Sequence, residues 1–454
     1  MGQSLFVTGP GGTGKSHLIN RIRKELPGVA VTASTGIAAR NINGQTIHRW
    51  CGLRDSKPFD NPNIPWDQAA EMVANNAISS RFFDEKADVM SETRTLIIDE
   101  VSMLSGPFIN AVDKICRVAR GDERPFGGLQ IVLVGDLFQL PPVSRYRAAL
   151  PCFHARIFKE PSFRKANLQQ MYRQSDPVFI SALNNIRLGR VTQTVNDIFL
   201  ARQECKAIRA KRPVVLSSTN KETERYNKNC LEKEEGKLVT FPMRGAGERI
   251  HQEKLLDQIL PPEKLDLKLN ARVMATVNNT ELGYCNGSLG WVKGVSAEGI
   301  SVQFDEATEP VEIKRYKWTT LTDEEKKEME KTRNAGGDFE YPFDYAEISQ
   351  FPLILGYAMT IHKSQGLTFD QAYINLGSVF EAGQAYVALS RVKSLDGLYL
   401  RGWDPTKIKA PPDALAFMKE TFGENALPTT PHVGPAPLPL SAPKEAAPAQ
   451  SVTL

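Results

Sequence analysis

Six cysteines in 454 residues (Cys51, Cys116, Cys152, Cys205, Cys230, Cys285) include no C-x-x-C pair. That argues against zinc or an iron–sulfur cluster and fits a reducing, intracellular compartment. No stretch approaches the roughly 20 apolar residues of a membrane span. Only Met1-Gly2-Gln3-Ser4 precede the first apolar strand, so no cleavable signal is expected and the chain reads as soluble. Charge of one sign is scarce as well, with 56 Lys and Arg against 52 Asp and Glu for a net +4. A nucleic-acid partner would therefore be held in a groove rather than by charge spread over the surface. The 41% hydrophobic content is that of an ordinary globular protein, long enough for roughly two to four domains.

What the chain does have is a phosphate loop. Gly9-Pro10-Gly11-Gly12-Thr13-Gly14-Lys15-Ser16 fits G-x-x-x-x-G-K-[ST] and directly follows the apolar run Leu5-Phe6-Val7. Glycines let the backbone curl its N–H groups toward phosphate, and a helix starting near Lys15 aims its positive end at the same place. The expectation is a nucleoside triphosphate, with Lys15 on the β- and γ-phosphates and Ser16 on Mg²⁺. The strand-like run Thr95-Leu96-Ile97-Ile98 ends in Asp99-Glu100. After a phosphate loop, such a pair reads as a Mg²⁺-shell carboxylate (Asp99) and a residue that orients or deprotonates water (Glu100). A second apolar strand, residues 129–134, leads into Gly135-Asp136 and then Gln139, placed to sense the γ-phosphate.

These residues carry a family resemblance. Residues 113–143 (DKICRVARGDERPFGGLQIVLVGDLFQLPPV) closely resemble the signature segment of the PIF (petite integration frequency) helicases, a RecD-like group of superfamily 1 group B. Further motifs follow the family's order: 32–53 (TASTGIAARNINGQTIHRWCGL), 96–103 (LIIDEVSM), Tyr172-Arg173-Gln174, 357–370 (YAMTIHKSQGLTFD) and 386–391 (YVALSR). The resemblance covers residues 4–402. It implies an ATP- and Mg²⁺-dependent motor that moves 5′-to-3′ on single-stranded DNA and unwinds forked or tailed duplexes, in repair, recombination, replication or telomere maintenance.

The expected fold is α/β: two tandem RecA-like P-loop domains, parallel sheets flanked by helices, with a small β-barrel-like insertion in the second. Residues 1–165 form the first domain. Within it, residues 53–90 lapse into a proline-bearing stretch (Pro58, Pro62, Pro65) followed by a helix-like segment, 67–82. The family places a duplex-parting wedge here; the plain alternative is a surface loop with Trp66 tucked in. Residues 166–275 and 348–405 make the two parts of the second domain, around a β-rich, SH3-like insertion at 276–347. In that region runs at 271–275 and 289–295 flank the turn dipeptide Asn286-Gly287. Thr219 should cap a helix running through Leu231, and residues 322–333 read as an exposed, charge-paired helix. A C-terminal helix over 406–422 gives way to a Pro- and Ala-rich tail, 423–454, read as disordered and as a tether for a protein partner.

By the resemblance, Arg173 and Arg391 reach from the second lobe to the γ-phosphate. They complete a catalytic set with Lys15, Asp99, Glu100 and Gln139, and a nucleotide-binding set with Gly9 through Ser16. The resemblance likewise puts Thr35, His48, Thr360, His362, Lys363 and Ser364 on a DNA strand, where hydroxyls, amides and a few cations follow the backbone without reading sequence. His48 and His362 also read as hydrogen-bonded core histidines, and Trp50 and Phe138 as core aromatics. One departure from the family stands out: too few residues precede the phosphate loop to supply its adenine-reading glutamine, and Gln3 lies too close to match it. The expected molecule is a monomer that also takes RNA–DNA hybrids. The alternatives are a single-strand-stimulated translocase that does not separate strands, and a RecD-type subunit active only inside a larger complex.

Overall fold

In the computed structural model the first 167 residues build one parallel sheet. Its strands are β1 (Leu5–Thr8), β2 (Val29–Ala33), β3 (Gln45–Thr46), β4 (Thr95–Asp99), β5 (Gln130–Gly135) and β6 (Arg164–Asn167), in the order β3-β2-β4-β5-β1-β6. The structure describes residues 3–423 except 54–55, 81–82, 145, 205–212, 257–258, 280, 285, 297, 306, 322 and 344; residues 424–454 of the tail lie outside the described residues. Strand β4 is buried along its whole length and β5 all but its first residue, the burial expected of central parallel strands covered on both faces. Ordering β4, β5 and β1 side by side brings Thr8, Asp99 and Gly135 to one sheet edge, where the loops that carry the acids and the glycines meet. Among the described residues, no helix is long and apolar enough to cross a membrane.

Within the lapse at 53–90, the described residues form a helical layer. A single 3₁₀ turn, Lys57–Asp60, leads to helices Trp66–Ile78 and Phe83–Glu92, where one helix over 67–82 was expected. Ala69, Ala70, Val73, Ala74 and Ala77 form the buried stripe of the first helix, which packs on helix Gly106–Arg120 and joins the first lobe's core. Residues 61–63 stay exposed at the outer turn.

The remaining strands are β7 (Val214–Ser217), β8 (Val239–Pro242), β9 (Arg244–Gly247), β10 (Lys264–Leu267), β11 (Arg272–Ala275), β12 (Leu289–Val295), β13 (Ile300–Phe304), β14 (Val311–Ile313), β15 (Tyr316–Thr319), β16 (Ala346–Gln350), β17 (Leu353–Leu355), β18 (Ala358–Thr360), β19 (Ala372–Asn375) and β20 (Leu398–Arg401). Only β18-β7-β19-β20 form the parallel sheet of the second lobe. Everything between is antiparallel: a β14-β13-β12-β11-β17 sheet, a β15-β16-β9 sheet and a β10-β8 pair. The insertion thus runs from Val239 to Leu355, wider at both ends than the expected 276–347. β11 and β17, assigned by sequence to the second RecA-like domain, pair with each other inside the insertion. The expected hairpin is present, Arg272 facing Trp291 across β11–β12, and Gly287 adopts φ 95° where an L side chain would be strained.

Thr219 caps helix Asn220–Lys233 by accepting from the Glu222 amide, as expected. The charge-paired segment forms helix Asp323–Asn334. Helix Pro412–Phe422, the last among the described residues, returns to the first lobe: Met418 is wholly buried in that core, and the Phe417 ring stacks 4.6 Å from Phe153.

Candidate functional site

The glycine-rich turn between β1 and helix Lys15–Glu25 has a shape that side chains would spoil. Gly9, Gly12 and Gly14 have φ of 154°, 97° and 86°, and a methyl on Gly12 would fall 2.6 Å from Arg173 Cβ. Lys15 is buried and folds back over the turn, its Nζ donating to the carbonyls of Gly9 (2.8 Å) and Pro10 (2.9 Å). Burial pushes its pKa down, against the pull of Asp136, Glu100 and Asp99. Thr13 Oγ1 closes the turn by donating to the Pro10 carbonyl, while Ser16 stands exposed on the first turn of the helix.

The acids lie at the end of β4. Asp99 is buried and accepts from the Glu100 amide at 2.8 Å; burial first, and then the Glu100 charge, raise its pKa to about 7. Glu100 occupies the left-handed region (φ 51°), uncommon for a residue with a side chain and worth a functional reading. Its Oε2 accepts from Gln365 of the second lobe at 2.9 Å. Beyond β5, Gln139 is buried, and its Oε1 has no partner among the described residues.

Both lobes converge on Gly11. A methyl there would lie 3.2 Å from an Arg391 guanidinium nitrogen and 3.5 Å from nitrogens of Arg173 and Gln139. Arg391 is fully buried, held by the carbonyls of Val387 and Leu367 and by Ser390 Oγ. Burial, reinforced by Arg173, pulls its pKa down to about 9. Arg173 donates to the Ser390 carbonyl at 3.1 Å. Two converging guanidiniums, a buried lysine and the nearby amide nitrogen of Gln139 make an anion-seeking pocket.

Several members of this arrangement were not singled out from the sequence. The Gly11 amide donates to the Tyr386 hydroxyl at 2.9 Å, and Gln174 donates to the carbonyls of Ser390 and Val392. Both residues lie within motifs already quoted, so their positions carried the signal. Asp136 and Arg187 form a wholly buried ion pair at 2.8 Å that crosses the lobe boundary, with the guanidinium over the Phe138 ring at 4.3 Å. Burial pushes Asp136 up, but Arg187 and Lys15 outweigh it and leave the carboxyl below its ordinary value. The only hint in the sequence was an arginine ending the apolar helix Pro177–Arg187.

The residues assigned to DNA divide into two groups across the lobe boundary. Thr35 is half-buried, its hydroxyl accepting from the Ala38 amide. His48 packs its ring 4.6 Å from Phe108, and burial lowers its pKa to about 4, so it is neutral at physiological pH. From the second lobe, Thr360 is buried and accepts from the Lys363 amide, His362 Nε2 lies 3.5 Å from Glu381, and Lys363 is half-buried. A methyl on Gly366 would come within 2.8 Å of Asn41 Nδ2, so the turn at 360–366 borders the first lobe's helix Gly36–Asn41. Ser364 departs from the expectation. It is wholly buried and donates to the Ile361 carbonyl, which gives it a turn-stabilising place instead of a strand-facing one. Trp50 and Phe138 are core residues, 1% and 0% exposed, as read.

A phosphate loop on one parallel α/β lobe, met by arginines from a second such lobe, defines the class: tandem RecA-like P-loop domains. The PIF1-like helicase pattern matches residues 1–197. The chain is 32% identical to the ATP-dependent DNA helicase Pif1 of Bdellovibrio bacteriovorus over 93% of its own length and 89% of that protein's. The chain belongs to the PIF1-like helicase family. It is also 32% identical to zebrafish (Danio rerio) ATP-dependent DNA helicase PIF1 over 94% of its length, but spans 63% of that longer relative. Among solved structures, Pif1 helicase from Candida albicans is similar with TM-score 0.75 at 31% identity, covering 92% of this chain and 95% of that one. Pif1 helicase from Bacteroides in complex with ADP-AlF3 and ssDNA is similar with TM-score 0.69 at 29% identity, covering 93% and 94%.

Proposed function

We propose that this chain is an ATP-dependent DNA helicase that moves 5′-to-3′ along single-stranded DNA and opens duplex ahead of it. The observation that carries the reading is the convergence on Gly11 of Gln139 from the first lobe with Arg173 and Arg391 from the second. Groups from both lobes around one phosphate site let hydrolysis be felt as opening and closing of the cleft between them. Lys15 takes the β- and γ-phosphates, Gln139 donates from its amide nitrogen to the γ-phosphate, and the two arginines stabilise the charge that builds during transfer. Glu100, steadied by Gln365, orients the attacking water.

The donor set suits Mg²⁺, which takes hard oxygen ligands: the Ser16 hydroxyl and the Asp99 carboxylate would hold it, and when bound it would offset phosphate charge. The strand is expected along the seam bordered by Thr35 and His48 on one side and Thr360, His362 and Lys363 on the other, with the helical layer at 57–92 as the wedge. The relatives' names and the single-stranded DNA in the Bacteroides complex support this assignment.

The test is hydrolysis of ATP by the purified chain with and without single-stranded DNA, Lys15→Ala serving as control, followed by unwinding of 5′-tailed and 3′-tailed duplexes. Stimulation by DNA that is lost in the variant, with opening of the 5′-tailed duplex only, is expected. Hydrolysis indifferent to DNA would overturn the motor. DNA-stimulated hydrolysis without unwinding would leave a translocase.

A further inference from the structure

We infer that Arg147 is a positioning residue that ties movement of the second lobe to the wedge, so that strand opening follows each closure of the cleft. The inference rests on the unwinding reading above and adds the link that reading lacks.

The link is the segment between β5 and residue 150. Its beginning is held by the second lobe. Leu140 is wholly buried in that lobe's core, and Gly383 approaches so closely that a methyl on it would stand 2.5 Å and 2.6 Å from the carbonyl oxygens of Gln139 and Phe138. Its far part grips the 57–66 turn. Arg147 donates from Nε to the Phe59 carbonyl (2.8 Å), and from its two terminal nitrogens to the carbonyls of Ile64 (2.6 Å) and Pro58 (3.4 Å). The same guanidinium lies 3.3 Å from the Trp66 ring centroid, and Ser144 Oγ donates to Asp60 at 3.2 Å. Pro141 and Pro142, between the two ends, restrict the backbone over the first part of the path, up to Ser144 and its tie to Asp60.

The chemistry at the far end favours a mechanical role. A planar fork with charge-assisted bonds to three carbonyls, stacked on an indole, fixes orientation as well as distance. The turn it holds has no strand partner among the described residues, and it leads directly into the helix whose preceding residues, 61–63, are the exposed tip. The sensing glutamine and the tip are thus connected through contacts at Leu140, Ser144 and Arg147, from the lobe boundary to the proposed wedge.

The experiment compares Arg147→Ala, Arg147→Lys and the unaltered chain in two assays on the same 5′-tailed duplex: the rate of ATP hydrolysis and the base pairs opened per ATP consumed. Hydrolysis on that duplex is expected to stay within about twofold, while base pairs opened per ATP fall about tenfold in Arg147→Ala and less in Arg147→Lys, which keeps the cation over Trp66 but loses the fork. A residue that only braced the fold would lower both quantities together, or lower the melting midpoint and leave the ratio alone; either result overturns the inference. Should Arg147→Ala fail to fold, Ser144→Ala removes the parallel tie to Asp60 and must shift the same ratio in the same direction. An unaltered chain that hydrolyses ATP without opening any duplex overturns the unwinding reading itself, a result distinct from an unaltered ratio in the variants.

Discussion

Arg391 is wholly buried, yet among the described residues its guanidinium hydrogen-bonds only to carbonyls and one hydroxyl, and Arg173 beside it helps burial hold its pKa down to about 9. Such a pair is poised for an anion that arrives from outside. If that anion is the γ-phosphate, Arg391→Ala should lower kcat by on the order of 10³–10⁵ with a much smaller change in KM, because the interaction strengthens as charge builds. Steady-state kinetics would decide; an unchanged kcat would remove Arg391 from the site. Asp99 gives a second residue-level expectation. With its pKa raised to about 7, it is largely protonated below neutrality, and only the carboxylate ligates metal. The Mg²⁺ requirement should therefore rise about tenfold for each pH unit below 7. The linked stability has the opposite sense: the unfolded carboxyl ionises at its ordinary value while the folded one holds its proton to about 7, so the metal-free protein should lose stability as pH rises from about 4 to about 7 and level off above that. Mg²⁺ titrations of hydrolysis at pH 6 and 8, with thermal melts alongside, test both signs.

At the scale of elements, what could be read from the sequence followed from locality. The phosphate loop, the acids ending β4 and the capping Thr219 each lie within a few consecutive residues, so a linear reading finds them. The insertion's edges did not yield, because β8 buries only Phe241 and β9 is exposed along its length: strands paired through their backbones with exposed side chains leave no alternation to detect. β17 failed for another reason. Three apolar residues fit a parallel or an antiparallel strand equally, and only pairing with β11 decides. Contacts across the lobes, such as Gly11 with Tyr386, separated by 375 positions, are set by packing alone. The Asp136–Arg187 pair is the most consequential of these. Removing one partner of a buried pair strands the other, so Arg187→Met should destabilise by about 3–5 kcal/mol, measurable by urea unfolding. A loss below about 1 kcal/mol, the value typical of exposed pairs, would mean that water reaches the boundary between the lobes.

For the whole molecule, helix Pro412–Phe422, which reaches from the second lobe into the first lobe's core, is expected to limit how far the lobes can part. The chain leaves the second lobe where the Gly383 amide donates to the Lys409 carbonyl, and helix Pro412–Phe422 then buries Met418 in the first lobe, with Phe417 near Phe6, Phe153 and Phe158. A strap of this kind keeps the second lobe's arginines at high effective concentration over the phosphate loop, and its looseness should set how often the cleft closes. Met418→Ala removes a fully buried side chain at a cost of about 2–5 kcal/mol, drawn from the first lobe's core and the strap's hold on it. The second lobe has a separate core built from Phe179, Leu183, Val387 and their neighbours, so it should survive the change. The expected outcome is a first lobe that unfolds at lower urea, a nucleotide-free molecule with a larger radius of gyration in small-angle scattering, and slower DNA-stimulated hydrolysis. A bound triphosphate analogue should restore the compact form, because the arginines then gain the anion that holds the lobes together. Scattering curves identical to those of the unaltered chain, at a lowered urea midpoint, would show that the helix stabilises the first lobe without limiting the cleft.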